Sequence, residues 1–150
     1  MRIIVQVVKN AKVEVEDKIL SEINKGFLLL VGFKDGDDYQ VIDKMIDKLL
    51  KLRIFSDTNG KTNLCLNDVN GAILSISQFT LYASLNDGNR PSFVKAKKYD
   101  DAKECYNYFF NQLKQRHPNS FDGLFGADMQ VSLTNDGPAT YILDSEVLFA

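Results

Sequence analysis

One histidine, two cysteines and no tryptophan stand in this chain of 150 residues, and the first two scarcities each remove a class of chemistry. His117 lies in Lys114-Gln115-Arg116-His117-Pro118-Asn119-Ser120, a polar stretch that predicts a helix end turning at the proline. A zinc site built from several histidines is excluded, and two cysteines are too few for a structural zinc, so neither metal nor cofactor is expected. Ser-His-Asp or Cys-His catalysis would have to run through this one loop residue. Cys65 and Cys105 lie far apart without C-x-x-C spacing and are expected as reduced, mostly buried thiols. No P-loop or G-x-G-x-x-G run occurs, since Gly32 to Gly36 lacks the spacing and the Lys-Ser/Thr pair. The longest apolar run, Phe27 to Phe33, is far short of the roughly 18–20 residues of a membrane span. Met1-Arg2-Ile3-Ile4-Val5-Gln6 does not have the pattern of a signal peptide, so a cytoplasmic location is expected. No sign of charge dominates either: 18 basic against 20 acidic residues leave −2, which gives no global footprint for nucleic acid. Contact with RNA has to come from a local patch.

What is present is an ordinary globular composition, 45% hydrophobic and 25% charged, in a chain the size of one domain. Such a chain buries roughly 68–70% of its unfolded surface. No linker, repeat or low-complexity segment divides it, so residues 1–150 are expected as a single domain. Arg2 to Val8 is β-branched and predicts a strand. Lys12 to Glu16 alternates, predicting a half-solvated strand that turns at Asp17-Lys18 into Ile19 to Ile23. Phe27 to Val31 is apolar on both faces and predicts a central strand. Lys34 to Asp38 is a loop supplying a helix N-cap, and Val41, Ile42, Met45, Ile46, Leu49 and Leu50 follow at helical spacing. Arg53-Ile54-Phe55 predicts a strand, Asn59-Gly60 a hairpin turn, and Ala72 to Tyr82 an apolar strand. Asp100-Asp101 opens a second helix with Ala102, Cys105, Tyr106, Phe109, Phe110 and Leu113 on its buried face. Met129, Val131 and Leu133 alternate in a last strand that Asn135 to Pro138 breaks and Ala139 to Leu143 resumes. Many strands in runs with two main helices favour an α+β fold with a largely antiparallel sheet or barrel.

Two segments carry polar groups where a plain core element needs none. Ser77-Gln78-Phe79-Thr80-Leu81-Tyr82-Ala83 begins inside the most apolar strand, and its hydroxyls, amide and free N–H groups suit the wall of a pocket; a polar strand face meeting solvent is the alternative. Asn135-Asp136-Gly137-Pro138-Ala139-Thr140 combines a residue free to take positive φ with an X-Pro bond able to be cis, and either presents rigid carbonyls at a surface or forms a hairpin turn. Between them, Arg90, Lys95, Lys97, Lys98 and Lys103 against Asp100 and Asp101 leave +3, interleaved with Phe93 and Tyr99. That suits a phosphate-contacting rim or a merely solvated face.

Taken together, Met1-Arg2 with Val5-Gln6, Leu52-Arg53-Ile54-Phe55, Ser77 to Ala83, Arg90-Pro91-Ser92-Phe93, Phe125 to Val131 and Asn135 to Thr140 resemble, in order and spacing, the D-aminoacyl-tRNA deacylases. The resemblance runs from Met1 to about Ser145. It implies a homodimer with its site at the subunit interface. It implies hydrolysis of the ester joining a D-amino acid to the terminal ribose of tRNA, and clearance of glycine wrongly attached to tRNA for alanine. Carried over, Ser77, Gln78, Phe79 and Thr80 line the aminoacyl pocket and serve catalysis through the backbone, helped by the ribose 2′-OH. Gly137-Pro138 is the cis step that reaches into the partner's pocket and excludes L-amino acids. Met129 and Phe125 lie near the terminal adenosine and Ala102 near the pocket wall. One departure is Val7, where many members carry an Arg that anchors the Gly-Pro step; here that step is expected to be held by other contacts, or more loosely. Two other readings of the same residues are an esterase with Thr80 or Ser77 as covalent nucleophile, and a non-catalytic tRNA-binding dimer.

Overall fold

The fold is described by a computed structural model covering residues 1–150. The two strands expected at the start run as one, β1 (Arg2–Val15). Ile3, Val5 and Val7 are buried on one face, while Val8, Ala11 and Val13 belong to a second apolar cluster. The change of phase has a local cause. Val8 pairs with Asn135 and Asn10 with Thr134, so Lys9 is an extra residue, and one extra residue flips which side chains face which side.

Positive φ at Glu16 and Asp17 turns the chain into β2 (Lys18–Ile23), antiparallel to the second half of β1. Strand β3 (Gly26–Gly32) pairs with the first half. Its odd residues Phe27, Leu29 and Val31 join the larger cluster and Leu28 joins the smaller, as expected for a strand covered on both faces. Helix α1 (Tyr39–Lys51) is capped by Asp38, whose carboxylate accepts from Val41 N at 2.9 Å, and it buries Ile42, Met45, Ile46 and Leu49. A separate hairpin of β4 (Arg53–Ser56) and β5 (Thr62–Cys65) closes around Asn59-Gly60. Then come β6 (Ala72–Ser77), α2 (Tyr99–Arg116), β7 (Ser120–Asp122), β8 (Gln130–Asp144) and the short α3 (Ser145–Leu148). His117 ends α2, its N–H reaching the Leu113 carbonyl and its ring Nε2 lying 2.8 Å from the Gly71 carbonyl oxygen, which is the structural role the sequence suggested.

The fold is α+β, and its main sheet is largely antiparallel, as expected, with two parallel steps added. Its order is β2-β1-β3-β6-β7, with β8 on the other edge of β1; β3–β6 and β6–β7 are parallel. Both parallel steps are made by long crossovers containing α1 and α2, the connection that parallel strands require. Ser21 of β2 donates to the Asp122 carbonyl of β7 at 2.7 Å, so the sheet curls until its ends nearly meet. The larger core packs both long helices against one face; the smaller cluster fills the curl. No helix is long and apolar enough to cross a membrane.

Candidate functional site

Strand β6 ends at Ser77, five residues before the expected boundary at Tyr82. Its partner β3 ends at Gly32, so beyond Gln78 N, which donates to the Val31 carbonyl at 2.8 Å, no ladder remains to follow. The chain closes instead into a 3-10 turn, Phe79–Tyr82, with Leu81 N on the Gln78 carbonyl at 3.4 Å and Ala83 N on that of Thr80 at 3.0 Å. A strand's alternation of faces therefore stops at Ser77. The turn has a chemical consequence. In i→i+3 pairing the first N–H groups have no partner inside the helix, and here those belong to Phe79 and Thr80.

The turn borders a cavity of about 450 Å³. Ser77, Gln78 and Phe79 line one side, Ala102 and Tyr99 of α2 another, and Phe125, Gly126 and Met129 a third. Thus six residues singled out in the sequence, from three distant segments, line one cavity: Ser77, Gln78, Phe79, Ala102, Phe125 and Met129. Thr80 is not in the lining; its Oγ1 accepts from Gln78 Nε2 at 2.5 Å and its side chain is exposed. Gly137 and Pro138 do not line the cavity of their own chain. Lys97, Tyr99 and Gly126 line the cavity too, where only the basic and aromatic character of the run holding Lys97 and Tyr99 is legible in the sequence.

Among the fifteen lining residues only Lys97 and Tyr99 carry ionisable side chains. Lys97 Nζ is engaged, donating to the Asp37 carbonyl at 3.1 Å. Behind the wall Tyr106 donates to Ser75 Oγ at 3.0 Å, and burial raises its phenol pKa well beyond the usual range. Burial likewise raises the Cys105 thiol. The cavity thus offers main-chain dipoles, an amide and aromatic faces, with no carboxylate, imidazole or thiolate in its lining.

The Gly137-Pro138 step is cis, and Gly137 has φ +128°, a conformation that favours glycine. The two residues sit on a bulge. Gln6 pairs with Thr140 and Val8 with Asn135, so Asp136 to Ala139 stand opposite Val7 alone. The last strand therefore continues through this segment to Asp144, with its pairing interrupted. Val7 is buried in the core and has no polar group to offer the bulge; paired residues on both flanks hold the step, with a long Gln6–Asn135 side-chain contact of 3.5 Å. Gly137 and Pro138 are exposed.

Comparison with known proteins agrees with this arrangement. The family model described as D-Tyr-tRNA(Tyr) deacylase matches residues 4–144. A D-aminoacyl-tRNA deacylase of Lactobacillus acidophilus is 54% identical over 144 residues, covering 96% of this chain and 99% of the relative. That of Clostridium kluyveri is 50% identical over 149 residues, covering 99% and 100%. Among solved structures, a c-Myc DNA unwinding element binding protein superposes with TM-score 0.91 at 37% identity, over 96% of this chain and 98% of its own. A probable eukaryotic D-amino acid tRNA deacylase, at 15% identity and TM-score 0.84 over 95% and 97%, shares the fold. By sequence along nearly its whole length and by fold, the chain belongs to the D-aminoacyl-tRNA deacylase family.

Proposed function

We propose that this chain hydrolyses the ester between a D-amino acid, or glycine misattached to tRNA for alanine, and the terminal ribose of tRNA, in the cytoplasm and as a homodimer. The observation that carries this reading is a cavity with no carboxylate, imidazole or thiolate in its lining, bordered by the Phe79–Tyr82 turn, whose Phe79 and Thr80 N–H groups have no partner inside the turn. An aminoacyl ester is already activated, so its hydrolysis needs stabilisation of charge more than a strong base. Water adds to the ester carbonyl; the N–H groups of Phe79 and Thr80 donate to the developing oxyanion. Donors of this kind contribute roughly 3–4 kcal/mol each at the upper end. The C–O bond to the ribose then breaks, the ribose oxygen takes a proton, and the free amino acid and tRNA leave. The ribose 2′-OH, adjacent to the ester, assists the proton's movement.

Chirality is judged by main-chain atoms. With the α-amino group and the ester fixed, the α-hydrogen and side chain exchange places between the two hands. Carbonyls of Gly137 and Pro138, entering from the second subunit, leave room for hydrogen but not for an L side chain. This is discrimination by exclusion, which rejects more strongly than a missing contact does. Their exposure, with Ile142 67% and Tyr141 37% exposed farther along β8, leaves a partly apolar surface for that second copy.

The test is deacylation of D-Tyr-tRNA and L-Tyr-tRNA in parallel. The expected preference for D is at least about a hundredfold. Equal turnover of both, or turnover of neither, overturns the reading. An acyl adduct on the intact chain, seen by mass spectrometry, would replace the dipole mechanism with a covalent one.

A further inference from the structure

Tyr99 is the first residue of α2 and lines the cavity, yet it is 58% exposed. An exposed aromatic is ordinary; this one is held from behind. Its ring packs edge-on against Phe125 with centroids 5.3 Å apart. Gly126, at φ +79°, lies so close that a side-chain carbon there would run into the phenol oxygen and ring. One face of the ring is therefore fixed in place at the cavity mouth while much of it stays open to solvent.

The charges beside it are arranged to match. Lys103 is four residues along the helix and shares the Tyr99 face, and Lys98 precedes it. Both lysines are exposed, and neither belongs to an ion pair within the chain. Of the neighbouring acids, Asp101 and Glu104 line a different cleft with Asp37 and Asp38, while Asp100 follows Tyr99 directly and is exposed. A ring with a free face between two unpaired cations is the combination that binds single-stranded nucleic acid: the base stacks and the backbone meets the charges.

On the deacylase reading, the ester lies at the Phe79–Tyr82 turn and the terminal adenosine lies inward, near half-buried Phe125 and Met129. The nucleotide before it then has to leave through the mouth. We infer that Tyr99 is the stacking platform for the base of that penultimate nucleotide, with Lys98 and Lys103 meeting the flanking phosphates. The subsite takes single-stranded RNA, and stacking makes it tolerant of which base arrives.

The chain has no tryptophan, so Tyr99→Trp supplies a single fluorescent reporter at this spot. Titration with the trinucleotide cytidylyl-cytidylyl-adenosine should quench it far more strongly than adenosine alone. Replacing Lys98 and Lys103 by Ala in that background should flatten the salt dependence of binding by a log–log slope of about 1.4, at ~0.7 per phosphate contact on a single strand. In turnover, Tyr99→Ala should lower kcat/KM on D-aminoacyl-tRNA about tenfold relative to kcat/KM on the D-aminoacyl ester of adenosine, and Tyr99→Phe should restore that ratio. Equal losses on both substrates, equal quenching by adenosine and trinucleotide, or a change in oligomeric state on Tyr99→Ala each overturn the proposal. If the wild-type chain hydrolyses neither substrate the deacylase reading fails, while the quenching result still decides whether the ring binds RNA.

Discussion

Arg2 donates from Nη1 to the main-chain carbonyl of Leu81 at 2.6 Å, tying the first strand to the turn that carries the Phe79 and Thr80 N–H groups. The same guanidinium bonds Asp144 through Nε at 3.0 Å and Nη2 at 2.9 Å, and its central carbon lies 4.7 Å from the centre of the Tyr82 ring. Against burial, which raises it, Arg2 and the Glu146 N–H hold the Asp144 carboxyl below its ordinary range. Arg2 is not itself in the cavity lining, so it acts on the reaction through the turn's position.

Arg2→Ala should accordingly lower kcat more than it raises KM, by about tenfold or more, and cost about 1–3 kcal/mol in stability, the range for hydrogen bonds to a charged group. Arg2→Lys retains the charge but not the fork, and should recover stability better than kcat. Urea denaturation beside steady-state kinetics separates the two. Loss of kcat in strict proportion to loss of folded protein would remove the positioning role.

Two buried tyrosines make opposite predictions. The Tyr106 hydroxyl donates to Ser75 Oγ and is buried behind the cavity wall, so Tyr106→Phe leaves Ser75 without its partner and should cost about 1–2 kcal/mol. The Tyr82 hydroxyl is buried with no hydrogen-bond partner. Tyr82→Phe removes a group that is desolvated for no return and should leave stability unchanged or raise it by up to ~1 kcal/mol. Chemical denaturation midpoints of the two variants decide this; equal losses contradict it.

The parts of this molecule that could be read from its sequence are those set by neighbouring residues. β-Branched, apolar and alternating runs point to most strands, though not to β5 or β7; helical spacing points to α1 and α2, and the Lys34–Asp38 loop supplies the expected cap through Asp38. What failed depends on partners distant in the chain. The length of β6 is fixed by where β3 stops giving it a ladder, which no residue between Ser77 and Tyr82 records. The joining of two expected strands into β1 turns on one bulge at Lys9 created by pairing with β8. The parallel steps were missed because the β4–β5 hairpin sits between α1 and β6 and masks the β-α-β order. At the site, polar residues inside an apolar run marked Ser77 and Gln78, since a core strand has no use for them. Tyr99 and Lys97 gave only a mixed basic–aromatic stretch, whose direction depends on α2 docking beside Phe125.

Asp122 gives the pH dependence. Burial raises its carboxyl pKa and Lys114 only partly offsets this. The unfolded chain ionises this group near pH 4 and the folded chain does so later. Between those two values the folded state binds more protons, so stability falls as pH rises through the window and stays lower above it. Asp122→Asn cannot ionise and escapes that fall. Its denaturation midpoint should match the wild type at about pH 4 and exceed it at pH 7. A gap of the same size at both values means that packing, and not ionisation, separates the two proteins.

Thr80 offers the sharpest test of where the catalytic power resides, because Ala removes its hydroxyl alone and Pro removes the hydroxyl and the N–H together. Its hydroxyl accepts from Gln78 at 2.5 Å and lies outside the cavity lining. Thr80→Ala removes that hydroxyl and keeps the N–H, so the rate should stay within about tenfold of wild type; hydrogen bonds of this kind are worth only ~1 kcal/mol net. Thr80→Pro falls in the first turn, where proline is tolerated, and removes the N–H as well as the hydroxyl. If that N–H faces the oxyanion, kcat should fall by about 10²–10³, the usual cost of one such donor. Circular dichroism and the denaturation midpoint of the proline variant establish that the fold survives, and the Ala variant shows what the side chain alone contributes. Loss of activity already in the Ala variant, which keeps the N–H, would assign the chemistry to the hydroxyl and make Thr80 a nucleophile.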